Sequence, residues 1–256
     1  MSTEAITRQA RALILGDSLG APRPHRGQKL DATWPVLLKK IFPQIDIWQR
    51  CRAGSMSNEV RKEYNLFSDS IDAFGILVIQ VGIGDCCPRP YPLCMEQFIL
   101  TYGLSRLHKR LNALYPLLLR FRAKQWISSK TFVDNIRFMI DTTRQRNPSA
   151  VICVVKIGTP CCDFVKKVRN VVTCAAAYNI ALEKLCRSYD ATENITFVDP
   201  YAGLAPEELF LSDGHHLTQL GHRAVNQSLE PFFQQLSDEI SCIKQATRTS
   251  ATSIKS

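Results

Sequence analysis

The chain has 256 residues, 45% of them hydrophobic and 21% charged, which is enough apolar material for one large domain and excludes whole-chain disorder. Twelve Gly, thirteen Pro and ten Cys, scattered along the chain, exclude collagen-like, low-complexity and disulfide-scaffold classes. A formal charge of +9 favours polyanionic partners without choosing among nucleic acid, anionic lipid and acidic glycan.

No run of about 18 apolar residues appears, and Glu4 and Arg8 stand where a signal peptide would need an apolar core, so the expectation is a cytoplasmic protein. The cysteines include two adjacent pairs, Cys86-Cys87 and Cys161-Cys162, with no C-x-x-C spacing. Adjacent thiols chelate a tetrahedral ion poorly, so the expectation is reduced core cysteines and no metal site.

Five short apolar runs read as buried strands, at 12–15, 45–48, 76–81, 151–155 and 195–198, with helical patterns between them. That alternation predicts a three-layer α/β/α, doubly wound, flavodoxin-like domain around a mainly parallel five-stranded sheet. The first run leads into Gly16-Asp17-Ser18, the second into Arg50 to Ser55, and the third into Gly82-Ile83-Gly84-Asp85 and a Pro-rich, rigid stretch through Pro92.

Next comes a basic stretch, 103–130, with Arg106, Lys109, Arg110, Arg120, Arg122, Lys124 and Lys130 and no acidic residue. Leu104, Leu107, Leu111, Leu114, Leu118 and Phe121 recur in it at helical spacing, which predicts an amphipathic helix interrupted near Pro116. Segment 94–130 is thus a basic helical insertion and a candidate lid. Its plain reading is a packed helix with a solvated basic face; the sharper one is an anionic surface contact through Arg106, Lys109, Arg110, Arg120, Arg122 and Lys124.

After the 151–155 strand, one helix is expected from Asp163, with Val165, Val168, Val172, Ala175, Ala176 and Leu182 on one face. The last strand leads through Asp199-Pro200 to Asp213-Gly214-His215-His216, then to a helix capped by Thr218 that runs towards Phe233. From Ser237 the composition predicts a disordered tail, so a single domain over 1–236 is expected. In open α/β sheets ligands sit beyond the carboxyl ends of the strands, so the loops after four of these strands are expected to meet.

Ser18 follows a buried strand, and a serine hydroxyl is a weak nucleophile until a base takes its proton. His216 is a candidate base, and Asp213, three residues before it, can orient its ring from the same loop. Each fragment alone is also an ordinary turn. Together, in this order and at these strand ends, Gly16-Asp17-Ser18-Leu19 and Asp213-x-x-His216 resemble the SGNH or GDSL-type hydrolase family of esterases and lipases, from Leu13 to about Phe233.

The resemblance implies a triad of Ser18, His216 and Asp213, an oxyanion hole that includes the Ser18 and Gly54 N–H groups, and a structural Asp17. His215 and His222 are then structural neighbours, and Asp85 anchors its loop. The third family block, Gly-x-Asn-Asp, is replaced by Gly82-Ile83-Gly84-Asp85, which leaves only backbone at Gly84. Losing one such donor costs about 3–4 kcal/mol of transition-state stabilisation. Asn58, Arg89 or water are the alternatives for a third donor, and Arg89 is also a candidate for binding an anionic substrate group. Some members of the family this chain resembles, including ones encoded with bacterial surface-polysaccharide pathways, also lack that asparagine.

The implied activity is hydrolysis of an oxygen ester, in a small molecule or a glycan, through an acyl-enzyme and with no cofactor. Alternatives are an O-acyltransferase or deacetylase acting on a glycan or its precursor, and a non-catalytic domain that binds a polyanion or membrane. Nucleic acid is not expected, because the basic cluster lies in no base-reading motif.

Overall fold

The computed structural model describes residues 11–24, 29–190 and 194–253. Five strands, β1 (Arg11–Gly16), β2 (Asp46–Cys51), β3 (Ile76–Gln80), β4 (Val151–Val155) and β5 (Ile195–Val198), form one parallel sheet in the order β2-β1-β3-β4-β5. All five expected runs are strands.

Side-chain alternation along the strands builds two cores. Leu13, Leu15, Leu77, Ile79, Ile152 and Val154 pack on α2 (Ser57–Asn65), α7 (Ser129–Arg146) and α9 (Val171–Arg187) through Val60, Tyr64, Phe132, Ile136, Ile140, Tyr178 and Leu182. Ala12, Ile14, Ile76, Val78, Cys153 and Val155 face the other way, onto Trp34 and Leu38 of α1 (Trp34–Ile41) and Val225, Leu229 and Phe233 of α11 (Gln219–Ser253). Burying each of these large aliphatic or aromatic groups stabilises the fold by about 1.5–3 kcal/mol. The central strands are therefore apolar on both faces, as a sheet covered on both sides requires.

Strand order reverses between β1 and β3, because the chain leaves β1 for β2 on one side and returns to β3 on the other. That switch point opens a crevice at the carboxyl ends of the two strands. The loop carrying Ser18 follows β1, the four-residue helix α3 (Ile83–Cys86) follows β3, and the short helix α10 (Pro206–Leu209) follows β5.

Two expectations change. The helix expected from Asp163 is two helices, α8 (Cys162–Lys167) and α9, because Asn170 adopts a left-handed conformation at φ 62° that breaks the register. Val165, Val172 and Ala176 are consequently exposed, and Val171, Ala175, Tyr178 and Leu182 form the buried face.

The basic stretch is interrupted near Pro116, as expected, and forms two short helices. After α4 (Leu93–Thr101) come α5 (Ser105–Ala113) and α6 (Tyr115–Phe121), broken at Leu114 with Pro116 in the first turn of α6, where a missing N–H costs nothing. Only Tyr115 and Leu119 of the 103–121 stretch are buried, in a small cluster with Cys87, Val168 and Val171 that ties this insertion to the α8–α9 junction.

The segment expected to be a disordered tail continues α11 as helix to Ser253. Leu236 and Ile240 still reach the core, and Gln44 Nε2 donates to Ser237 Oγ at 2.5 Å. The last three residues of that expectation, 254–256, lie outside the described residues. Thr218 caps α11 as expected, its Oγ1 accepting from Gly221 N–H at 3.1 Å. Among the described residues, no helix is long and apolar enough to cross a membrane.

Candidate active site

At the crevice, Ser18 Oγ lies 3.1 Å from His216 Nε2, and His216 Nδ1 lies 2.9 Å from Asp213 Oδ2. The second carboxylate oxygen of Asp213 accepts the backbone N–H groups of His215 (3.3 Å) and His216 (3.1 Å), so the acid is fixed by its own turn. Gly214 completes the turn at φ 77°, a left-handed conformation, and a Cβ there would stand 1.9 Å from the Cys161 carbonyl oxygen. With Nδ1–H donated to Asp213, the lone pair of Nε2 faces the serine hydroxyl.

Burial is the largest influence on His216 and holds its pKa down to about 4, helped by His215 and Arg23 and opposed by Asp213. Burial pushes the Asp213 carboxyl up, but the hydrogen bonds from the His216 ring and backbone outweigh it and hold the group below its ordinary value. The ring is therefore neutral and the carboxylate ionised at neutral pH, the pairing a general base needs.

A cavity of about 500 Å³ opens on this chain of hydrogen bonds, lined by Ser18, Arg23, Gly54, Gly84, Arg89, Phe164, His215 and His216 among others. A second cavity of about 320 Å³ shares Arg89, Phe164 and His215 and adds Asn112, Tyr115 and Lys167, so the helical insertion walls one side of the cleft. Gly54, at φ 78°, and Gly84 both line the larger cavity, and the N–H groups of Ser18, Gly54 and Gly84 have no hydrogen-bond partner among the described residues. Of the side chains expected as a third donor, Arg89 lines the cavity and Asn58 does not.

Asp17 is fully buried and shapes the turn: its Oδ1 accepts Leu19 N–H at 2.9 Å and Gln80 Nε2 at 3.3 Å. Burial, its largest influence, lifts its pKa to about 7. Asp85 fastens the loop after β3 to the start of α2. Its carboxylate accepts Ser57 N–H at 3.0 Å and Ser57 Oγ–H at 2.6 Å, and Ser57 Oγ in turn accepts from Asn135 at 3.0 Å. That linkage sets the Gly54 loop against the Gly84 loop.

His215 stacks on Phe164 with ring centroids 4.3 Å apart, and its Nδ1 lies 3.0 Å from the Asp213 carbonyl. His222 is buried in the core instead, its Nδ1 accepting from Trp34 N–H at 3.3 Å.

Asp213, His215 and His216 are the one cluster among the described residues whose ligand atoms are close enough for a metal ion. The Nδ1 atoms of both rings are already engaged with Asp213, so the cluster reads as an orienting network. The four paired cysteines form no such cluster, and all ten cysteines are free thiols.

Sequence reasoning missed Arg23, whose Nη2 lies 2.6 Å from His216 Nε2 across 193 residues of chain. The available signal was its place between Pro22 and Pro24, a rigid loop that projects a cation five residues after Ser18.

Solved structures share the architecture. A lipase/acylhydrolase from Enterococcus faecalis superposes with a TM-score of 0.58 at 12% identity, covering 90% of this chain and 96% of its own. The psychrotrophic esterase EstA from Pseudoalteromonas sp. gives 0.55 at 12% identity (89% and 98%). A carbohydrate esterase of family 3 from Talaromyces cellulolyticus gives 0.56 at 14% identity (90% and 98%). At these identities the likeness is one of fold. No curated protein sequence matches the chain. Over residues 14–224 the sequence matches the family model of the GDSL-like lipases and acylhydrolases, and the chain belongs to that family.

Proposed function

We propose that the protein is a serine esterase that cleaves an oxygen ester through an acyl-enzyme. The observation that carries this reading is the hydrogen-bonded line Ser18–His216–Asp213 at the switch point of the sheet. Ser18 Oγ attacks the carbonyl carbon while His216 Nε2 takes the hydroxyl proton. Asp213 holds the ring and stabilises the imidazolium. The Ser18, Gly54 and Gly84 N–H groups serve the oxyanion. His216 then gives its proton to the leaving alkoxide. Water, deprotonated by the same nitrogen, releases the acid and frees Ser18.

If a sugar hydroxyl replaces water in the last step, the same residues perform acyl transfer. A glycan ester is one substrate class to test, since a carbohydrate esterase shares the fold. Turnover of 4-nitrophenyl acetate by the unmodified chain, abolished in Ser18→Ala, tests the reading. Equal rates in both would refute it.

A second reading concerns where the enzyme works. Phe98, Leu100, Tyr102, Leu107, Leu117 and Phe121 of the insertion are exposed among Arg106, Lys109, Arg110, Arg120, Arg122 and Lys124. Apolar and cationic side chains together suit an anionic membrane surface. The same insertion borders the cleft, so docking there would bring the site to an ester at the interface.

A further inference from the structure

We propose that the cleft takes an ester whose acyl or alcohol portion carries a carboxylate or phosphate group, held by Arg23 and Arg89 beside the nucleophile. The inference rests on the acyl-ester reading of the site and adds the charge of its substrate.

Arg23 supplies the first argument. A guanidinium only donates, so at 2.6 Å its Nη2 uses the same Nε2 lone pair that Ser18 Oγ–H must use at 3.1 Å. Once Nε2 gains the serine proton, an imidazolium and a guanidinium face each other, two cations with two donors and no acceptor between them. The catalytic cycle therefore requires Arg23 to leave Nε2. A substrate oxyanion gives it a destination, and its negative charge also favours the imidazolium that forms.

Arg89 supplies the second. Its guanidinium lies over the Trp126 ring at 4.4 Å, and its backbone is bridged to Lys124, so the group is held in place. Its Nε is buried and has no hydrogen-bond partner. A buried guanidinium N–H without an acceptor is costly, and the planar fork matches carboxylate and phosphate in two-point geometry.

The two arginines converge on one space. Both line the cavity that holds Ser18, and after burial and the opposing Asp213, both push the His215 pKa down. Asp17 lines that cavity and its Oδ1 accepts from Leu19 and Gln80; in the adjoining cavity Asp213 is committed to His216 and two backbone N–H groups, and Asp163 pairs with Lys166. Tyr115 and Glu96 also stand near the Arg89 guanidinium, and a ligand oxyanion supplies the acceptor its Nε lacks.

The test is a titration of the full chain, followed by NMR, with three probes that are not turned over: butyramide, 4-carbamoylbutanoate and 3-phosphonopropanamide. The proposal predicts that at least one of the two anions binds about tenfold or more tighter than butyramide. Arg23→Gln and Arg89→Gln should each remove most of that difference, and Arg89→Lys should keep part of it, as a charge without the fork. Equal affinity for all three probes would overturn the proposal, as would a preference that survives both glutamine variants. Fluorophosphonate labelling of the same protein judges the esterase reading separately, because an unlabelled Ser18 leaves the affinity comparison intact.

Discussion

Arg23 Nη2 stands 2.6 Å from His216 Nε2, and Ser18 Oγ stands 3.1 Å from the same nitrogen. One lone pair is thus shared between a cation and the proposed nucleophile. In the free protein, burial and the nearby cation both favour the neutral ring, while Asp213 keeps it oriented.

The first consequence is a pH profile. A general base must be neutral, and burial with help from His215 and Arg23 sets the His216 pKa at about 4, so kcat/KM should fall only below about pH 4. Arg23 lowers that pKa, so Arg23→Gln should move the acid limb upward, towards the ordinary histidine value. Profiles of kcat/KM on a neutral ester from pH 3 to 8 measure both. An acid limb near pH 6.5 in the unmodified protein would contradict the buried-base account.

Asp213→Asn keeps the shape of the turn but loses the carboxylate that holds the Nδ1–H tautomer. Activity should fall by about 10³–10⁴-fold with little change in KM, the cost of a wrong tautomer. Steady-state kinetics on 4-nitrophenyl acetate check it, and a loss confined to KM would point to binding instead.

Gly84 makes a gain of function testable. Its backbone is not left-handed, and an added Cβ would meet only Met56 Cγ at 3.3 Å and the Ser55 carbonyl oxygen at 3.4 Å. Gly84→Asn should therefore fold after a small shift of the Met56 side chain. If its amide reaches the oxyanion, kcat should rise by up to about 10²-fold. No rise in a folded variant would mean that the backbone donors already saturate the oxyanion.

Asp17 predicts a stability effect of unusual sign for a carboxylate. Burial raises its folded pKa to about 7 against 3.8 for the ordinary group, so between those values the folded state binds the extra proton. Stability is then fully present below pH 4 on this account and is lost as pH rises towards 7, by at most about 4 kcal/mol. Asp17→Asn, which keeps an acceptor for Leu19 N–H, should flatten that slope. Urea midpoints for both proteins at pH 5 and pH 8 compare them, and parallel slopes would contradict the assignment.

The strands and the closeness of Asp213 to His216 were legible because each signal is local or strongly periodic. Leu13 and Leu15 alternate with Ala12 and Ile14 between two cores, and Asp213 lies three residues from His216 on one turn. What stayed hidden depends on tertiary geometry. Asn170 looks like any helix residue until its φ of 62° breaks the register, and the Pro22-Arg23-Pro24 pattern places a cation near Ser18 without specifying its contact with His216. Composition misled at the other end, where Leu236 and Ile240 pay for helix beyond Phe233 by reaching the core.

The most direct test of the central claim is intact mass after treatment with a fluorophosphonate, on the unmodified chain, Ser18→Ala and His216→Ala. A reactive serine depends on the base that Asp213 orients, so one adduct per chain should form on the unmodified protein alone. An adduct that persists in Ser18→Ala, or no adduct under conditions that label a control serine esterase, would contradict a Ser18–His216–Asp213 centre.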